Sequence, residues 1–414
     1  MEILRSAFSI YWQAGNEMKI LISSLIDLKK SSHNSRLHQF IRHLSYNHEI
    51  SVVSINDWWK PKWDQRSEEY QKDFISILDG LDYTYISEKK ISPILQEIIS
   101  IMEPRSIRDI LKRDFDIHFS YNSLICGYAI SKRFNTMGIN TIYDLADDLP
   151  EMARTSPQIP GLLKPLSGLM SAKMLEKNIK LAEKVTYTTE SLRRSYDIPD
   201  HKSVIIPNGV DTDLFKPYEN AGLKSDLGID DECFVIGHVG VLREWLDFEP
   251  LFKAIKVLSG SNNIKMLIVG GGIGLNHTKK LASRYGISNN IIFTGTLPYS
   301  KVPRYISCMD VGVIPFRLDN VSQNSLPLKL FEYMACKVPV ISTNVRGISD
   351  NFNDIVLYAS NSKDYIHRIS ELNENEDLKK ALGMAGRERM RNHFDWSKLS
   401  LKLEKLIADL TEVS

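Results

Sequence analysis

The sequence has no uninterrupted run of eighteen apolar residues, so no membrane-spanning helix is expected. Its four cysteines are scattered, with no C-x-x-C pair and no cysteine–histidine spacing typical of zinc. Each lies among apolar neighbours, which predicts small core residues and a reducing, cytoplasmic location. The four are Cys126, Cys233, Cys308 and Cys336.

The chain also lacks an excess of either charge, because 52 lysines and arginines face 51 aspartates and glutamates. This balance argues against a nucleic-acid binder driven by bulk charge, and no nucleic-acid partner is expected. The basic stretch "PRSIRDILKR" (104–113) is interpreted as a solvated helix face. With 414 residues, 43% of them apolar, the chain is long enough for two or three domains.

Alternating strand and helix patterns begin at Met18, with "KILISSLI", "NSRLHQFIRHLSYN" and "EISVVSI", and predict a parallel sheet. Asn34 is the expected N-cap of the first helix. Residues 1–17 are interpreted as an extension, either an amphipathic surface segment or an over-long start. The tryptophan-containing stretch 58–74 is expected to be an irregular connection. Proline and glycine in "SVIIPNGVDTDLFKP" mark a domain junction, so we assign residues 18–203 to a first domain.

The second half, residues 204–394, repeats the strand–helix unit five times, which predicts a doubly wound sheet. Asp247 is expected to cap one helix, and Gly286 to close another. Two such sheets in series leave a cleft where the carboxyl ends of their strands face each other, and ligands bind at such a place.

The stretch "NSLPLKLFEYMACKVPVIST" (324–343) predicts a helix that carries charge next to the cleft. Asn324 and Ser325 are expected N-caps, so the free N–H groups of the helix start, which includes Leu326, would bind phosphate. Lys329 and Glu332 lie one turn apart on one face, and a carboxylate suits the hydroxyls of a ribose. The alternative is a salt bridge between these two side chains on a solvated stripe.

Several other residues are candidates for the site, each with a simpler structural alternative. Gly270 in "IVGGGIG" would let backbone approach a ligand, or would only join a strand to a helix. The acidic cluster after the strand "INTIY" would orient a hydroxyl, act as a base or cap a helix; it comprises Asp144, Asp147 and Asp148. His118 is a catalytic candidate, although a histidine inside a strand is more often a satisfied core residue.

Three further candidates follow strands. Arg243 suits a phosphate ligand or a surface ion pair. In "IPNGVD", Gly209 is expected to supply a positive φ and Asn208 to form a local hydrogen bond. Taken alone, this last segment predicts only a tight turn.

Taken in order, the motifs of the second half resemble those of the nucleotide-sugar-dependent glycosyltransferases of family 4. They are "IIPNGVDTDLFKP", "VIGHVGVLREWLDF", "LIVGGG", "NIIFTG", "MDVGVIPF" and "LPLKLFEYMACKVPVIST". The resemblance implies an α/β architecture of the GT-B type: two Rossmann-like doubly wound domains facing across a cleft, with a final helix, 395–414, that crosses back onto the first domain. It also implies a second domain that binds the donor and a first domain that binds the acceptor.

The implied activity is transfer of a sugar from a UDP- or GDP-linked donor, with retention of configuration. No metal and no cofactor are implied. The acceptor would be a glycan, a glycolipid or a lipid-linked molecule of a cell-surface pathway. The enzyme would then be cytoplasmic or peripheral on the inner face of the cell membrane. The implied donor site includes Gly240 and Pro315 beside the residues already named.

The sequence departs from the family pattern at three positions. The ribose-binding glutamate is matched by Glu332, but Asn324 stands where a second glutamate is usual. Val241 and Leu246 occupy the positions of an arginine and a lysine that bind the diphosphate. Arg243 or Lys329 is the expected substitute. These departures leave open a non-catalytic nucleotide-binding subunit, and the fold leaves open a nucleotide-sugar epimerase.

Overall fold

The computed structural model of the chain describes residues 17–30, 35–58, 76–156, 159–260 and 262–412. Nearly all of the predicted extension and of the predicted irregular connection at 58–74 lies outside these residues. Within the described residues, the four cysteines are buried and free, as predicted.

The first half of the chain forms a parallel sheet of seven strands in the order β3-β2-β1-β4-β5-β6-β7. The predicted boundary at residue 203 falls inside β7, which pairs with β6, so the whole of this strand belongs to the first sheet. The strands are β1 (Lys19–Ser24), β2 (Glu49–Ser54), β3 (Asp82–Tyr85), β4 (Ile117–Tyr121), β5 (Asn140–Leu145), β6 (Lys184–Tyr187) and β7 (Ser203–Ile205).

Helices cover both faces of this sheet, because side chains alternate between faces along each strand. Ile20 and Ile22 point to a core shared with α1, whereas Leu21 points to the opposite core, shared with α3 and α4. The helices of the first half are α1 (Arg36–Leu44), α2 (Pro93–Ser100), α3 (Arg105–Ile110), α4 (Ile125–Asn135), α5 (Leu149–Thr155), α6 (Lys164–Leu181) and α7 (Glu190–Ser195).

The second half forms a parallel sheet of six strands in the order β10-β9-β8-β11-β12-β13. This order reverses direction at β8, as in a doubly wound sheet. The strands are β8 (Phe234–Val239), β9 (Ile264–Val269), β10 (Ile291–Gly295), β11 (Val311–Ile314), β12 (Val340–Ser342) and β13 (Val356–Tyr358).

The helices of the second half surround this sheet and share one large apolar core with it. They are α8 (Ala221–Asp226), α9 (Glu249–Leu258), α10 (Leu275–Tyr285), α11 (Val302–Ile306), α12 (Asn320–Gln323), α13 (Leu328–Ala335), α14 (Arg346–Phe352), α15 (Ser362–Glu374) and α16 (Glu376–Arg389).

A final helix, α17 (Trp396–Thr411), returns to the first half of the chain. Trp396, Leu399 and Leu403 pack into the same core as α1 and the strands of the first sheet. The start of this helix is tied to the segment between the sheets, since Asp395 accepts hydrogen bonds from Thr212. The chain therefore crosses between the halves twice, and the two crossing segments pair with each other at Val210 and Asp395.

The helix ends show where local signals were sufficient. Gly286 closes α10 in the left-handed conformation at φ 72°, as predicted. The expected N-cap Asn34 lies outside the described residues, and Ser35 is the cap of α1. Asp247 is not the N-cap of α9, because Phe248 holds that position; the Asp247 carboxylate accepts from the Glu249 N–H just beyond it.

The helix that carries Lys329 and Glu332 starts later than predicted. It begins at Leu328 with Pro327 at the N-cap, so Asn324 and Ser325 are not its caps. Asn324 instead ends the short helix α12. The turn between the two helices brings residues 324–327 to the wall of the cleft.

Candidate functional site

A cavity of about 370 Å³ lies between the two sheets, at the carboxyl ends of their strands. Tyr121 and Asp147 reach it from the ends of β4 and β5, and Gly240 and Gly270 from the ends of β8 and β9. This position is the one where parallel sheets bind ligands, and the volume is in the usual range for small-molecule sites.

The acidic turn after β5 contributes two of the three predicted aspartates to the cavity. Asp148 is buried, and both of its oxygens accept hydrogen bonds: Oδ1 from the Tyr196 hydroxyl, and Oδ2 from Asn324 Nδ2 at 2.8 Å. Asp147 is exposed to the cleft and accepts from Asn122 Nδ2 at 2.8 Å. These hydrogen bonds hold both carboxylates in fixed orientations on the side of the cavity that the first half forms.

The third aspartate, Asp144, has a structural role. It is fully buried and accepts two hydrogen bonds of 2.9 Å from the Arg36 guanidinium, through Nε and Nη2. The remaining nitrogen of Arg36 donates to the carbonyl of Pro207 at 2.7 Å. This bidentate pair fixes α1 and the segment that leads into the second half against β5.

The hydrogen bond between Asn324 and Asp148 crosses the cleft. It joins two residues 176 positions apart, one from each half. The side-chain oxygen Oδ1 of Asn324 is buried and has no hydrogen-bond partner among the described residues, and the residue lines the cavity. A glutamate here would bring a second negative charge against Asp148, so the amide suits this closed arrangement.

Lys329 lies on the cavity wall with its ammonium beside the backbone of Gly240. Its Nζ is 3.3 Å from His238 Nε2, while His238 Nδ1 is 3.1 Å from the carbonyl oxygen of Val313. The proton therefore belongs on Nδ1, and Nε2 accepts from the lysine. Burial lowers the pKa of Lys329 to about 8 and keeps the pKa of His238 well below its usual value.

Glu332 also lines the cavity and is buried. The Tyr299 hydroxyl donates to its Oε1 at 2.9 Å. Burial raises the pKa of Glu332 to about 7, and the hydrogen bond from Tyr299 partly opposes that rise. Among the described residues, Lys329 and Glu332 do not form the salt bridge that was the alternative interpretation, because each turns to a different partner.

Two glycine-containing turns, at Gly240 and Gly270, form the wall of the cavity next to the second sheet. Gly270 has φ 134°, and a Cβ at this position would lie 2.2 Å from the carbonyl oxygen of Gly240. Only glycine allows the ends of β8 and β9 to approach this closely. The predicted close approach of backbone to a ligand at Gly270 stays a prediction, but the residue does line the cavity.

The positions that usually carry the diphosphate-binding arginine and lysine are apolar here. Val241 lines the cavity, and Leu246 is buried in the core. Arg243 also reaches the cavity, where its guanidinium lies 5.2 Å from the ring of Trp245. Both expected substitutes, Arg243 and Lys329, therefore lie on the wall of the same cavity.

The remaining donor-side candidates divide into two groups. Asn208, Ser325 and Leu326 line the cavity. The side-chain amide of Asn208 donates to the carbonyl of Leu326 at 2.7 Å, so its hydrogen bond is not local as expected but joins the two halves. Gly209 lies outside the cavity, and its φ is not positive. It must be small because a Cβ would lie 2.5 Å from the carbonyl oxygen of Phe394.

Two candidates lie away from the cavity. His118 is buried inside β4, where it bonds the Ser23 and Ser131 hydroxyls, and burial lowers its pKa to about 3. It lies near the start of β4, whereas the cavity is at the strand's end, so the geometry gives no support to a catalytic role. Pro315 only accepts a hydrogen bond from the Asp247 N–H at 2.7 Å.

Sequence reasoning missed four residues that shape the site. Arg36 and Tyr299 line the cavity, and His238 and Asn122 hold residues that line it. Arg36, Tyr299 and Asn122 belong to none of the quoted family motifs, and His238, although it lies within "VIGHVG", was not singled out there. Each acts on a partner that is far away along the chain or on another element, so no local pattern marks it.

Comparison with known proteins agrees with this geometry. Residues 221–389 match the family described as "Glycosyl transferases group 1". The chain carries a group 1 glycosyltransferase domain. This domain contains the second sheet, with Lys329, Glu332 and both glycine turns of the cavity.

Curated glycosyltransferases match longer segments of the chain. A GDP-mannose-dependent alpha-(1-6)-phosphatidylinositol monomannoside mannosyltransferase of Mycobacterium tuberculosis is 27% identical over 207 residues, which is 48% of this chain and 54% of that protein. A D-inositol 3-phosphate glycosyltransferase of Segniliparus rotundus is 22% identical over 269 residues, 63% of this chain and 58% of that protein. The chain thus spans about half the length of the curated relatives it matches.

Among solved structures, sucrose-phosphate synthase from Thermosynechococcus elongatus superimposes with a TM-score of 0.77. The alignment covers 96% of this chain and 100% of the other, at 16% identity. This likeness confirms the predicted GT-B fold of the chain. No helix among its described residues is long and apolar enough to cross a bilayer.

Proposed function

We propose that the chain transfers a sugar from a nucleotide-sugar donor to an acceptor hydroxyl, with retention of anomeric configuration. The observation that carries this proposal is the composition of the cavity between the sheets. A lysine, a buried glutamate and two glycine turns of the second half face two carboxylates of the first half. Retention is proposed from the resemblance of the second-half motifs to retaining enzymes.

The donor diphosphate would lie against Lys329 and the turn at Gly240. The lysine ammonium is beside this turn, is held by His238 and carries no carboxylate partner in the described residues. A partly buried cation of this kind is strongly favoured by a dianion that replaces its lost hydration. Arg243 extends the positive charge toward the open side of the cavity.

The hydroxyl groups of the nucleoside would be bound by Glu332. Its buried carboxylate lies one turn beyond Lys329 on α13, so a ligand that contacts the lysine through phosphate is within reach of the carboxylate. Because burial raises the pKa of Glu332 to about 7, hydrogen bonds donated by hydroxyls would favour its ionised form.

The acceptor would enter from the first half, beside Asp147 and Asp148. A new bond would form between the acceptor oxygen and the anomeric carbon as the bond from that carbon to the phosphate oxygen breaks. The hydroxyl proton would leave with the nucleoside diphosphate, whose negative charge Lys329 stabilises. Asp148 is held by Tyr196 and Asn324, and would orient the acceptor.

The relatives narrow the chemistry of the substrates. The mycobacterial relative is named as GDP-mannose-dependent and as acting on a phosphatidylinositol mannoside. Together with the resemblance of the second-half motifs, this relative supports our proposal of a UDP- or GDP-linked sugar as donor and a glycan, glycolipid or lipid-linked molecule as acceptor.

A thermal-shift screen with UDP, GDP and their common sugars tests the donor half of the proposal. One nucleotide is expected to raise the melting temperature of the wild type but not of Glu332→Ala. The matched control is Glu374→Ala, at an exposed position on α15, which should respond as the wild type does. If no nucleotide stabilises the wild type, the proposed donor site is refuted.

A further inference from the structure

The outer layer of the first half exposes an unusual amount of apolar surface. Of the nineteen large apolar side chains that are exposed among the described residues, eleven lie on α2, on α5 or on α6 with the residues adjoining each of them. Exposed apolar residues scattered singly need no explanation, but a concentration of them marks an interaction surface.

The start of α6 carries the largest part of this surface. Leu162, just before the helix, is 96% exposed, and Leu166 and Met170 follow at intervals of four residues on the same stripe. The stripe then turns basic, because the next positions on it are Lys173 and Lys177, both exposed. With a rise of about 1.5 Å per residue, these lysines lie roughly 10 and 16 Å from Leu166 along the axis.

Helix α2 is amphipathic, but its polar face is buried and its apolar face is exposed. The face that it buries is polar, with Gln96, Glu97 and Ser100, and Glu97 accepts hydrogen bonds from the first N–H groups of α4. The face that it exposes is apolar: Ile94, Leu95 and Ile98 on the helix, then Ile101 and Met102. Such a helix is unfavourable in water, unless its outer face meets an apolar environment.

The two apolar stripes belong to one layer with a marked positive charge. Helix α4 packs against both α2 and α6 on the same side of the first sheet, opposite to α1 and α17. Together α4 and α6 contain six lysines and arginines and one glutamate, in a chain with 52 against 51 overall. The surface formed by α2, α4 and α6 is called the outer face below.

The outer face is continuous with the acceptor side of the cavity. Helix α5 packs along α6, and Asp148 is its N-cap. Met152 on α5 lines the cavity and is also 39% exposed. An acceptor held at the outer face by an apolar tail would therefore have its polar end near the carboxylates.

We propose that the outer face binds the surface of an anionic lipid bilayer, with residues 162–170 inserted to the level of the acyl chains. Lys173 and Lys177 would then lie at the level of the lipid phosphates, since an interfacial helix buries its apolar part about 5–10 Å deep. Lysines near an anionic membrane surface each add to the binding.

A second copy of the chain is a weaker candidate for the occupant. Protein interfaces are enriched in aromatic residues and depleted in lysine. The exposed apolar residues of the outer face are leucine, isoleucine and methionine only, and lysines adjoin them. This composition complements acyl chains and phosphates.

The test is co-sedimentation of the full chain with vesicles of phosphatidylcholine alone, or with 30% phosphatidylglycerol. Wild type should sediment with the anionic vesicles and much less with the zwitterionic ones. Leu162→Asp/Leu166→Asp should weaken binding at least about a hundredfold, and Lys173→Gln/Lys177→Gln roughly twentyfold. The matched control Val257→Asp, an exposed position on α9, should bind as the wild type does.

Three results would overturn the proposal. They are no sedimentation of the wild type with either vesicle, equal sedimentation with both, or wild-type binding by the leucine variant. Light scattering after size exclusion distinguishes the alternative occupant, since a dimer that the leucine variant abolishes, without vesicle binding, would assign the outer face to self-association. The nucleotide-induced shift in melting temperature, measured on every variant, tests the proposed function separately because it needs no lipid.

Discussion

Replacing Lys329 by methionine should separate what the lysine does for the ligand from what it does for the fold. Methionine keeps the length and most of the volume of the side chain but removes the charge. In the free protein, burial lowers the pKa of Lys329 from its ordinary value of 10.5 to about 8. Holding the charged form in the protein below pH 8 therefore costs on the order of 3 kcal/mol.

This destabilising contribution is absent from the variant, but His238 Nε2 also loses the donor that lies 3.3 Å away in the wild type. An unpaired buried acceptor costs about 1–3 kcal/mol. The free energy of unfolding of Lys329→Met at pH 7 should thus equal that of the wild type or exceed it by up to ~2 kcal/mol. A functional lysine is expected to be neutral or costly for stability in this way.

The dependence on pH follows from the same pKa. Between pH 8 and 10.5 the unfolded lysine holds a proton that the folded one has lost, so this group makes the wild type more stable as pH rises through that window. The free energy of unfolding of the variant relative to the wild type should therefore be highest below pH 8 and fall by on the order of 3 kcal/mol by pH 10.5, where the wild type should be the more stable protein. Urea unfolding of both proteins at pH 7 and pH 10 measures it.

The stability of Lys329→Met at pH 7 should be unchanged or higher, but its affinity for nucleotide should be lower. A hydrogen bond to a charged group contributes about 1.5–3 kcal/mol, so the Kd of the preferred nucleoside diphosphate should rise roughly 10- to 150-fold. The corresponding nucleoside, which lacks the diphosphate, should bind both proteins equally. In the wild type, diphosphate affinity should also fall above pH 8 as Lys329 loses its proton, and this dependence should vanish in the variant.

Isothermal titration calorimetry of the wild type, Lys329→Met and the surface control Lys405→Met measures both affinities, for the diphosphate and for the nucleoside. The control lies at an exposed position on α17 and should match the wild type. A variant that binds the diphosphate as tightly as the wild type, or that loses affinity for diphosphate and nucleoside alike, would refute the assigned contact.

Five further substitutions test other residues of the structure. His238→Phe should weaken diphosphate binding about three- to tenfold in titrations, whereas His238→Gln, which restores an acceptor, should recover most of it. Asp148→Asn should reduce transfer about a hundredfold in an acceptor assay and leave nucleotide affinity within threefold, because it changes only the acceptor side; a parallel loss of affinity would contradict that role. Arg36→Met should lower the free energy of unfolding, measured in urea, by about 3–5 kcal/mol, because Asp144 stays buried without its partner. The control Arg42→Met removes a half-exposed ion pair and should lower it by at most about 1 kcal/mol. Equal effects of the two substitutions would refute the role of burial.

The sequence predicted the doubly wound sheets because that signal is local and repeated. Each strand of the second half is a short apolar run followed by an amphipathic helix, and the structure places these strands in parallel. The end of α10 was equally clear, since Gly286 adopts the positive φ that glycine favours. Strong local signals were sufficient wherever no distant partner competed with them.

Distant partners explain the helix start that was wrong. Asn324 has the side chain of a good N-cap, but in the fold its amide donates to Asp148 across the cleft. The helix begins instead after Pro327, whose φ already suits the first turn. No local pattern distinguishes an asparagine that caps a helix from one that reaches a residue 176 positions away.

The same limit applies to the candidate site. Lys329 and Glu332 looked like a salt-bridged pair or a ligand pair, and only the fold shows that His238 and Tyr299 take the two side chains apart. His118 was a catalytic candidate with a satisfied core residue as its alternative, and in the structure it is fully buried within β4. The sequence showed that Lys329 and Glu332 share one face of a helix, but it did not show which residues of other elements they contact.

The most direct test of the account is a titration of the wild type and of Glu332→Ala with the nucleotide-sugar that the thermal-shift screen selects. We expect one binding site per chain in the wild type and a Kd at least tenfold higher in the variant, since hydrogen bonds to a charged group contribute about 1.5–3 kcal/mol. Equal affinity in the two proteins, or no binding by the wild type, would contradict the claim that this cleft binds a sugar donor.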